Sequence, residues 1–308
     1  MRKAESSVTR RTIIQTASVL GAPIFGSPIV APLQGGPAKP STVRDRLWLW
    51  SHVAGSYDGQ YNLPGHSRIT PVEAAFYLSI PNVFMIQLNG QPPIESLEQF
   101  AVPFQSLKQV SWSIVDPQDH TPEEERRAVL DFAFKTPNIT GVVMDDFFVH
   151  RKSFKEGQIA ALSIDELKQL RQTLNRRSKR LDLSVVLYEH QIADPKFTTY
   201  VPYLELADIV QVWIWTGKNI PNIPETLDTF EKQLPHKRKM LGVFMWDFGG
   251  QKPQPIPVME QQCEMGLKCL TQKRIEGIVF CGSWLCDRGL ETVAWTRQWI
   301  HKVGDQKV

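Results

Sequence analysis

The chain has 308 residues, of which 42% are hydrophobic, 10% aromatic and 22% charged. This composition is typical of a globular protein, and the chain is long enough for one large core, since a barrel domain has about 250 residues. The formal net charge is only +3. Solvated helix ends explain the basic patches at 176–180 and 236–239, so the sequence predicts no nucleic-acid partner.

The first 40 residues have the features of an export signal followed by a linker. Arg10 and Arg11 precede a moderately apolar stretch that ends near Phe25, and glycine and proline are frequent in 32–40. The segment resembles the twin-arginine signal peptide of bacteria. That resemblance implies transport by the twin-arginine export machinery to the periplasm or the exterior. A basic tail before a short core helix is the alternative interpretation.

The sequence predicts no stable membrane span. Crossing a bilayer takes about 20 consecutive apolar residues. Glycine and proline interrupt the apolar stretch that follows Arg11, and no later segment reaches the required length.

Eight short apolar runs recur along residues 41–308. Buried parallel strands are almost continuously apolar, and eight of them are needed to close a barrel. The predicted strands are Leu47 to Trp50, Val83 to Leu88, Val110 to Val115, Gly141 to Met144, Leu183 to Leu187, Ile209 to Ile214, Met240 to Met245 and Gly277 to Phe280.

The segments between these runs have helical patterns. Thr121 and Ser163 are predicted helix caps, each followed by acidic residues in the first turn. The other predicted helices are Pro71 to Leu78, Ile94 to Leu107, Pro224 to Leu234, Val258 to Leu270 and Leu290 to Val303. Alternating strands and helices predict a single-domain (β/α)₈ TIM barrel over 41–308. A doubly wound open sheet is the alternative, but no glycine-rich turn follows Trp50.

Acidic residues follow several of the predicted strands. They are Asp116 after the third, Asp145 and Asp146 after the fourth, Glu189 after the fifth and Asp247 after the seventh. In barrels of this type the active site lies at the carboxyl ends of the strands. These acids are therefore expected to meet at one mouth.

Aromatic and polar side chains occur at the same strand ends. Those predicted to bind substrate, together with Asp116, are Trp50, His52, Tyr57, Asn89, Tyr188, Trp215, Trp246 and Trp284. Flat aromatic faces suit sugar rings, and the indole N–H of tryptophan suits a hydroxyl group. We therefore expect a carbohydrate substrate. Core packing is the competing explanation for each single ring.

At the level of the fold, the chain resembles compact (β/α)₈ glycoside hydrolases. The segment 141–148 is similar to the fourth-strand signature of chitinase-like barrels, although Phe147 stands where that signature ends in glutamate. The acids after strands four, five and seven also match the positions of the catalytic acids in the alpha-amylase clan. The arginine that precedes the amylase nucleophile is absent here, because Val143 and Met144 precede the two aspartates.

The resemblance implies a glycoside hydrolase that uses two carboxyl groups, one protonated and one ionised. Asp146 is the predicted nucleophile or base and Glu189 the predicted general acid, with Asp145 and Asp247 as the other catalytic candidates. Adjacent strand residues point to opposite sides, so we expect Asp145 to face away from the barrel axis. Apolar neighbours are expected to raise the pKa of Glu189.

Two other functions remain open from the sequence. One is a barrel that binds a glycan or another ligand without catalysis. The other is a metal-dependent hydrolase or deacetylase built on His52, Asp58 and Asp116, although no HxH or HExxH motif is present. No fingerprint for a nicotinamide or flavin cofactor occurs, and no cofactor is predicted.

The four cysteines, Cys263, Cys269, Cys281 and Cys286, match no zinc-binding spacing. Free thiols are the expectation for them, and one disulfide is the alternative.

Overall fold

A computed structural model describes residues 41–117, 121–150, 154–176 and 179–308. The predicted twin-arginine signal peptide and linker, residues 1–40, lie outside the described residues. The predicted barrel domain lies within them, apart from the gaps.

The predicted (β/α)₈ TIM barrel is confirmed. Eight parallel strands close on themselves in the order β1-β10-β7-β6-β5-β4-β3-β2, and a two-stranded antiparallel ribbon, β8-β9, follows β7. The strands are β1 Leu47–Ser51, β2 Asn82–Met85, β3 Gln109–Val115, β4 Ile139–Met144, β5 Asp182–Tyr188, β6 Ile209–Trp213, β7 Arg238–Phe244, β8 Trp246–Asp247, β9 Lys252–Pro253 and β10 Ile278–Cys281.

The helices lie between the strands. They are α1 Pro71–Leu78, α2 Leu97–Phe100, α3 Glu123–Lys135, α4 Ile164–Arg176, α5 Glu189–Ile192, α6 Val201–Leu206, α7 Ile223–Gln233, α8 Ile256–Thr271 and α9 Glu291–Val303. Local chemistry sets their starts: Thr70 and Glu73 form a capping box at α1, with Pro71 at the first helical position. Within the described residues, none of the helices has the length and apolar character to cross a membrane.

The predicted cap at Thr121 is wrong, because Pro122 is the residue before α3 and Thr121 Oγ1 instead accepts the N–H of Asp116. Two predicted elements also differ clearly from the structure. The second strand ends at Met85, not Leu88, because Leu88 and Gln91 exchange backbone hydrogen bonds across a tight turn whose central residues have positive φ. The predicted helix from Ile94 to Leu107 is broken into the four-residue α2 and two flanking 3₁₀ turns. Pro103 interrupts it, because proline has no N–H to donate within a helix.

Aromatic side chains fill the upper part of the barrel and form the floor of the mouth. The Trp50 ring lies 5.6 Å from that of Phe84 and 5.5 Å from that of Trp213. Gly242 on β7 makes room for Trp213, since a Cβ atom there would lie 2.0 Å from the indole ring. Any side chain at 242 would displace this floor.

In the described part of the chain all four cysteines are buried free thiols, as expected. They therefore contribute packing and no covalent cross-link.

Candidate active site

A pocket opens at the carboxyl ends of the barrel strands, where the sequence predicted it. It encloses about 540 Å³ including its open mouth. Seven of the predicted site residues line it: Trp50, Tyr57, Asp145, Asp146, Tyr188, Trp215 and Trp284. Six further residues complete the lining: Tyr61, Val186, Trp213, Phe244, Phe248 and Cys281.

The aromatic rings of the pocket contact one another in a row. Tyr57 packs against Trp284 at 4.8 Å and against Tyr61 at 5.6 Å between ring centroids. Tyr61 continues to Phe248 at 5.3 Å, and Phe248 stacks on Trp215 at 6.0 Å. These edge-to-face and offset contacts hold each ring in place. The result is a continuous aromatic wall along one side of the pocket.

Both aspartates of the Asp145-Asp146 pair line the pocket. The expectation that Asp145 faces away from the axis is therefore wrong. Strand β4 ends at Met144, and Asp146 has a left-handed backbone with φ of 45°. Because the alternation of side chains applies only to extended strand residues, the turn can send both carboxyl groups to the same side.

Tyr188 connects β5 to this acidic turn. Its hydroxyl group donates a hydrogen bond of 2.7 Å to Oδ1 of Asp146. Burial, together with the charges of Asp146 and Asp145, raises the pKa of Tyr188 well above its ordinary value. The phenol therefore stays protonated at neutral pH and donates to the carboxylate.

The same field acts on other groups around the pocket. Burial and the charge of Asp145 raise the pKa of Tyr57, and they also raise the pKa of the Cys281 thiol. Cys281 is therefore a neutral side chain that fills space and is a poor nucleophile, since only the thiolate is reactive.

Two buried donors in the lining have no protein acceptor. The indole Nε1 atoms of Trp213 and Trp284 lack a hydrogen-bond partner among the described residues, although both side chains are 2% exposed. A buried donor without a partner costs free energy, so these two N–H groups are exceptions to the usual pairing of buried polar atoms.

Glu189 lies outside the pocket lining. Its Oε2 accepts the backbone N–H of Trp215 at 2.9 Å, and its Oε1 accepts the side-chain amide of Asn219 at 3.2 Å. Burial acts to raise the pKa of Glu189, but its ion pair with His190 and these two hydrogen bonds outweigh burial, so the pKa is lowered. The expectation of a raised pKa was therefore wrong, and the carboxylate braces the loop after β6.

Asp247 and Asp116 brace loops in the same way. Oδ1 of Asp247 accepts the N–H groups of Gly217 and Gly250, at 3.2 and 2.8 Å. Oδ2 of Asp116 accepts the N–H of Gly90 at 2.9 Å. Both acids are nearly buried but absent from the pocket lining. These hydrogen bonds hold loops, because each carboxylate satisfies backbone donors of a neighbouring turn.

Three other predicted binding residues do not line the pocket either. His52 is fully buried behind it, with its ring 4.6 Å from Trp284 and 5.2 Å from Tyr57. Trp246 is buried and donates its indole N–H to the carbonyl of Tyr61. Asn89 is exposed in the tight turn after β2. His52 and Trp246 support the residues of the wall from behind.

Sequence reasoning omitted part of the lining. Trp213 lies on β6 two residues before Trp215, so strand periodicity would have placed both rings on one side. Tyr61 follows Tyr57 in the same loop. Phe244 and Phe248 were hidden among apolar residues that also suit the core, and nothing in the sequence separates the two roles.

Two of the residues predicted to bind metal in a metal-dependent hydrolase, Asp58 and Asp116, form ion pairs or hydrogen bonds with protein groups. Asp58 pairs with Arg288 and His66, and Asp116 holds the turn after β2. Within the described ranges no three His, Cys, Asp or Glu side chains are grouped closely enough to hold a metal ion.

The barrel is similar to several solved structures. The catalytic domain of a hyperthermophilic chitinase from Pyrococcus furiosus superposes with a TM-score of 0.56 and 11% identity, over 87% of this chain and 99% of that one. A putative alpha-L-fucosidase from Bacteroides thetaiotaomicron gives a TM-score of 0.55 and 9% identity, over 89% and 100%. A xylanase-A-amylase inhibitor protein gives 0.51 and 11%, over 85% and 98%. These likenesses show a shared fold.

No family model matches the sequence, and the comparison with curated proteins gives no significant match.

Proposed function

We propose that the protein is a glycoside hydrolase that acts on an oligosaccharide or polysaccharide. The observation that carries the proposal is the pocket itself, in which two carboxyl side chains from one turn face an aromatic wall. Hydrolysis of a glycosidic bond needs two carboxyl groups beside one sugar ring. Aromatic faces bind the apolar faces of sugars.

The roles of the two acids follow from their surroundings. Asp146 is the base or nucleophile, because the Tyr188 hydroxyl donates to its carboxylate and fixes its orientation. Asp145 is assigned as the general acid, because it is the second carboxyl group in the pocket lining and is only 6% exposed. Asp145 replaces Glu189 in this role, since Glu189 does not line the pocket and its pKa is lowered.

The chemistry is a displacement at the anomeric carbon. Asp145 gives its proton to the glycosidic oxygen as the bond from that oxygen to the anomeric carbon breaks. Either an oxygen of Asp146 or a water molecule that Asp146 deprotonates then bonds to the same carbon. In the first case a water molecule, which gives a proton to Asp145, afterwards attacks the anomeric carbon and displaces the Asp146 carboxylate, so the sugar is released and Asp145 is protonated again. Positive charge develops on the sugar ring during this step, and the Asp146 carboxylate stabilises it.

The similar structures support a carbohydrate substrate. The chitinase and the putative fucosidase, by their names, act on sugars, and both share the fold of this chain. The likeness extends over most of each chain. It supports the class of substrate and leaves the sugar and the linkage to experiment.

The test is a screen of methylumbelliferyl glycosides of N-acetylglucosamine, fucose, mannose and xylose, in both anomeric forms. We expect the wild-type chain to release the fluorophore from at least one. Asp145→Asn and Asp146→Asn should each lower turnover by roughly 10² to 10⁴, which is the usual contribution of acid–base catalysis. An activated dinitrophenyl leaving group needs no protonation, so it should restore turnover in Asp145→Asn alone. Equal turnover in all three proteins would contradict the proposal.

A barrel that binds glycans without catalysis is the second candidate. Phe147, at the position of the glutamate in the chitinase-like signature, is fully buried, with its ring 4.9 Å from that of Phe148. By its name, one protein of similar fold is an inhibitor of xylanase and amylase, so barrels of this shape also have roles other than glycan hydrolysis. This function predicts that a bound oligosaccharide is recovered unchanged after long incubation with the wild-type chain.

We also propose that the protein is exported, on the basis of Arg10 and Arg11 in the sequence. The twin-arginine pathway reads this pair, so changing both to lysine should leave the precursor in the cytoplasm. Fractionation of cells that express the two forms is the measurement. Normal export of the double variant would overturn the twin-arginine assignment and leave the glycosidase proposal unaffected.

A further inference from the structure

The loop that follows β1, residues 52–70, contributes two rings to the aromatic wall. We call this segment the β1 loop. Tyr57 and Tyr61 both line the pocket, and each packs against a ring from another strand end, Trp284 for Tyr57 and Phe248 for Tyr61. The loop therefore lies over the rim of the barrel at β10.

Both tyrosines have an unfavourable backbone conformation. Their φ angles are 62° for Tyr57 and 51° for Tyr61, in the left-handed region where a bulky side chain is uncommon. A residue stays there only when its surroundings fix it, and such positions cluster at functional sites. The rings are thus held in the pocket against a local preference of the chain.

Arg288, in the loop after β10, supplies much of that fixation. Its side chain is completely buried. Its Nη1 donates to the carbonyls of Pro64 and Gly65, at 2.9 and 2.7 Å, and its Nη2 donates to Oδ1 of Asp58. The guanidinium fork can bind several acceptors at fixed angles, which a lysine cannot do. One arginine therefore holds both halves of the β1 loop.

Further contacts anchor the loop on each side. Oδ2 of Asp287 accepts the backbone N–H groups of Arg68 and Ile69, at 2.6 and 3.0 Å. Toward β7, the indole N–H of Trp246 is donated to the carbonyl of Tyr61. The β1 loop thus spans the rim from β1 across β10 to the β8-β9 ribbon.

We propose that the β1 loop is an end wall and that Arg288 is the residue that positions it. This proposal rests on the glycosidase function proposed above, and it means that the enzyme cleaves glycans at their chain ends. In this proposal the β1 loop leaves a sugar beside the aspartates no room for another unit on the side of Tyr57 and Tyr61. Because both carboxyl groups line the pocket that holds this sugar, its own anomeric carbon reacts, and the unit released is the non-reducing terminal one.

The mode of action is tested with methylumbelliferyl glycosides of one sugar and of two. A chain-end enzyme releases the fluorophore from the monosaccharide at once. From the disaccharide it releases fluorophore only after a lag, because the terminal sugar leaves first. Immediate release from the disaccharide would overturn the end wall while leaving the glycosidase function intact. If no fluorophore is released from either compound, nor from any other sugar of the panel, the glycosidase function itself is refuted.

The role of Arg288 is tested with Arg288→Lys and Asp58→Asn. Both variants should loosen the β1 loop, so that Tyr57 and Tyr61 become ordered only when the sugar binds. KM for the methylumbelliferyl monosaccharide should therefore rise about tenfold, with little change in kcat. The looser loop should also shorten the lag with the disaccharide. Arg274→Lys is the matched control, since Arg274 pairs with Asp228 and Glu231 outside the pocket.

Asp58→Asn keeps the test informative if Arg288→Lys folds poorly, because the Asp58 side chain is partly exposed. A folded variant of either kind with unchanged KM and an unchanged lag would overturn the positioning role. The positioning role would also be overturned if Arg274→Lys changed the lag as much as Arg288→Lys does.

Discussion

The mouth of the barrel carries two sets of similar side chains with opposite surroundings. Asp145, Asp146 and Trp215 face the pocket. Glu189, Asp247 and Trp246 come from neighbouring strand ends but bond to the loops around it. Backbone N–H groups of the surrounding loops bond to the carboxylates of Glu189 and Asp247, whereas the hydroxyl group of Tyr188 bonds to Asp146 in the pocket. An acidic residue at the end of a strand therefore indicates where the mouth of the barrel lies, but it does not indicate whether that residue takes part in catalysis.

The comparison is tested most strongly by the two tryptophans. Trp246→Ala should lower the free energy of unfolding by about 3–5 kcal/mol, since the ring is 2% exposed and holds Tyr61. Trp215→Ala, at the half-buried ring in the pocket, should lose less stability and weaken sugar binding instead. Chemical denaturation and titration with the product sugar measure the two effects. If Trp215→Ala loses more stability and Trp246→Ala weakens sugar binding, Trp215 is the supporting ring and Trp246 is the ring that contacts the sugar.

The buried His52, which lies behind the aromatic wall, should make the stability of the protein depend on pH. Burial lowers the pKa of His52 to about 3. Below pH 6.5 the unfolded chain binds a proton that the folded chain excludes, so stability is complete above that pH and falls as the pH decreases toward 3. Between about pH 7.5 and 5 the loss should be about 2 kcal/mol.

The variant His52→Phe should flatten this part of the stability profile, and the exposed His66 of the same loop provides the control, His66→Gln. Stability measured by urea denaturation at several pH values decides the matter. If the wild-type and His52→Phe profiles are parallel, His52 takes up a proton as readily in the folded protein as in the unfolded chain, and burial does not keep its ring neutral.

The smallest expected effect concerns the bracing acids. Glu189→Gln and Asp247→Asn each weaken hydrogen bonds to buried donors, so each should cost about 1–2 kcal/mol of stability, with turnover changed less than tenfold. Glu260→Gln, at an exposed site on α8, should change stability by no more than about 0.5 kcal/mol. A loss of turnover without a loss of stability in Glu189→Gln would return the general acid to that residue.

The sequence predicts the fold well because buried parallel strands leave a strong pattern. All eight barrel strands match predicted apolar runs, and the acids do follow β3, β4, β5 and β7. Where turns intervene the prediction weakens, as at the tight turn after β2 and at Pro103. These features depend on backbone hydrogen bonds between residues whose pairing the pattern of hydrophobicity does not report.

The site was predictable in part. The sequence indicated Asp146, Tyr188 and Trp284 correctly as residues of the mouth. It could not show that Asp146 leaves the strand conformation, because the left-handed φ there belongs to a turn after β4. Nor could it show that Glu189 meets the Trp215 N–H, since that contact joins residues 26 positions apart.

The central claim is that the acidic turn after β4 and the aromatic wall enclose the reacting sugar. A crystal structure of Asp146→Asn with an oligosaccharide that the wild-type chain hydrolyses tests it directly, because the slowed variant retains the intact substrate. We predict a terminal sugar ring between Asp145 and the rings of Tyr57 and Trp284, with its anomeric carbon beside residues 145 and 146. An oligosaccharide bound with its scissile bond beside Glu189 or Asp247 would contradict the account.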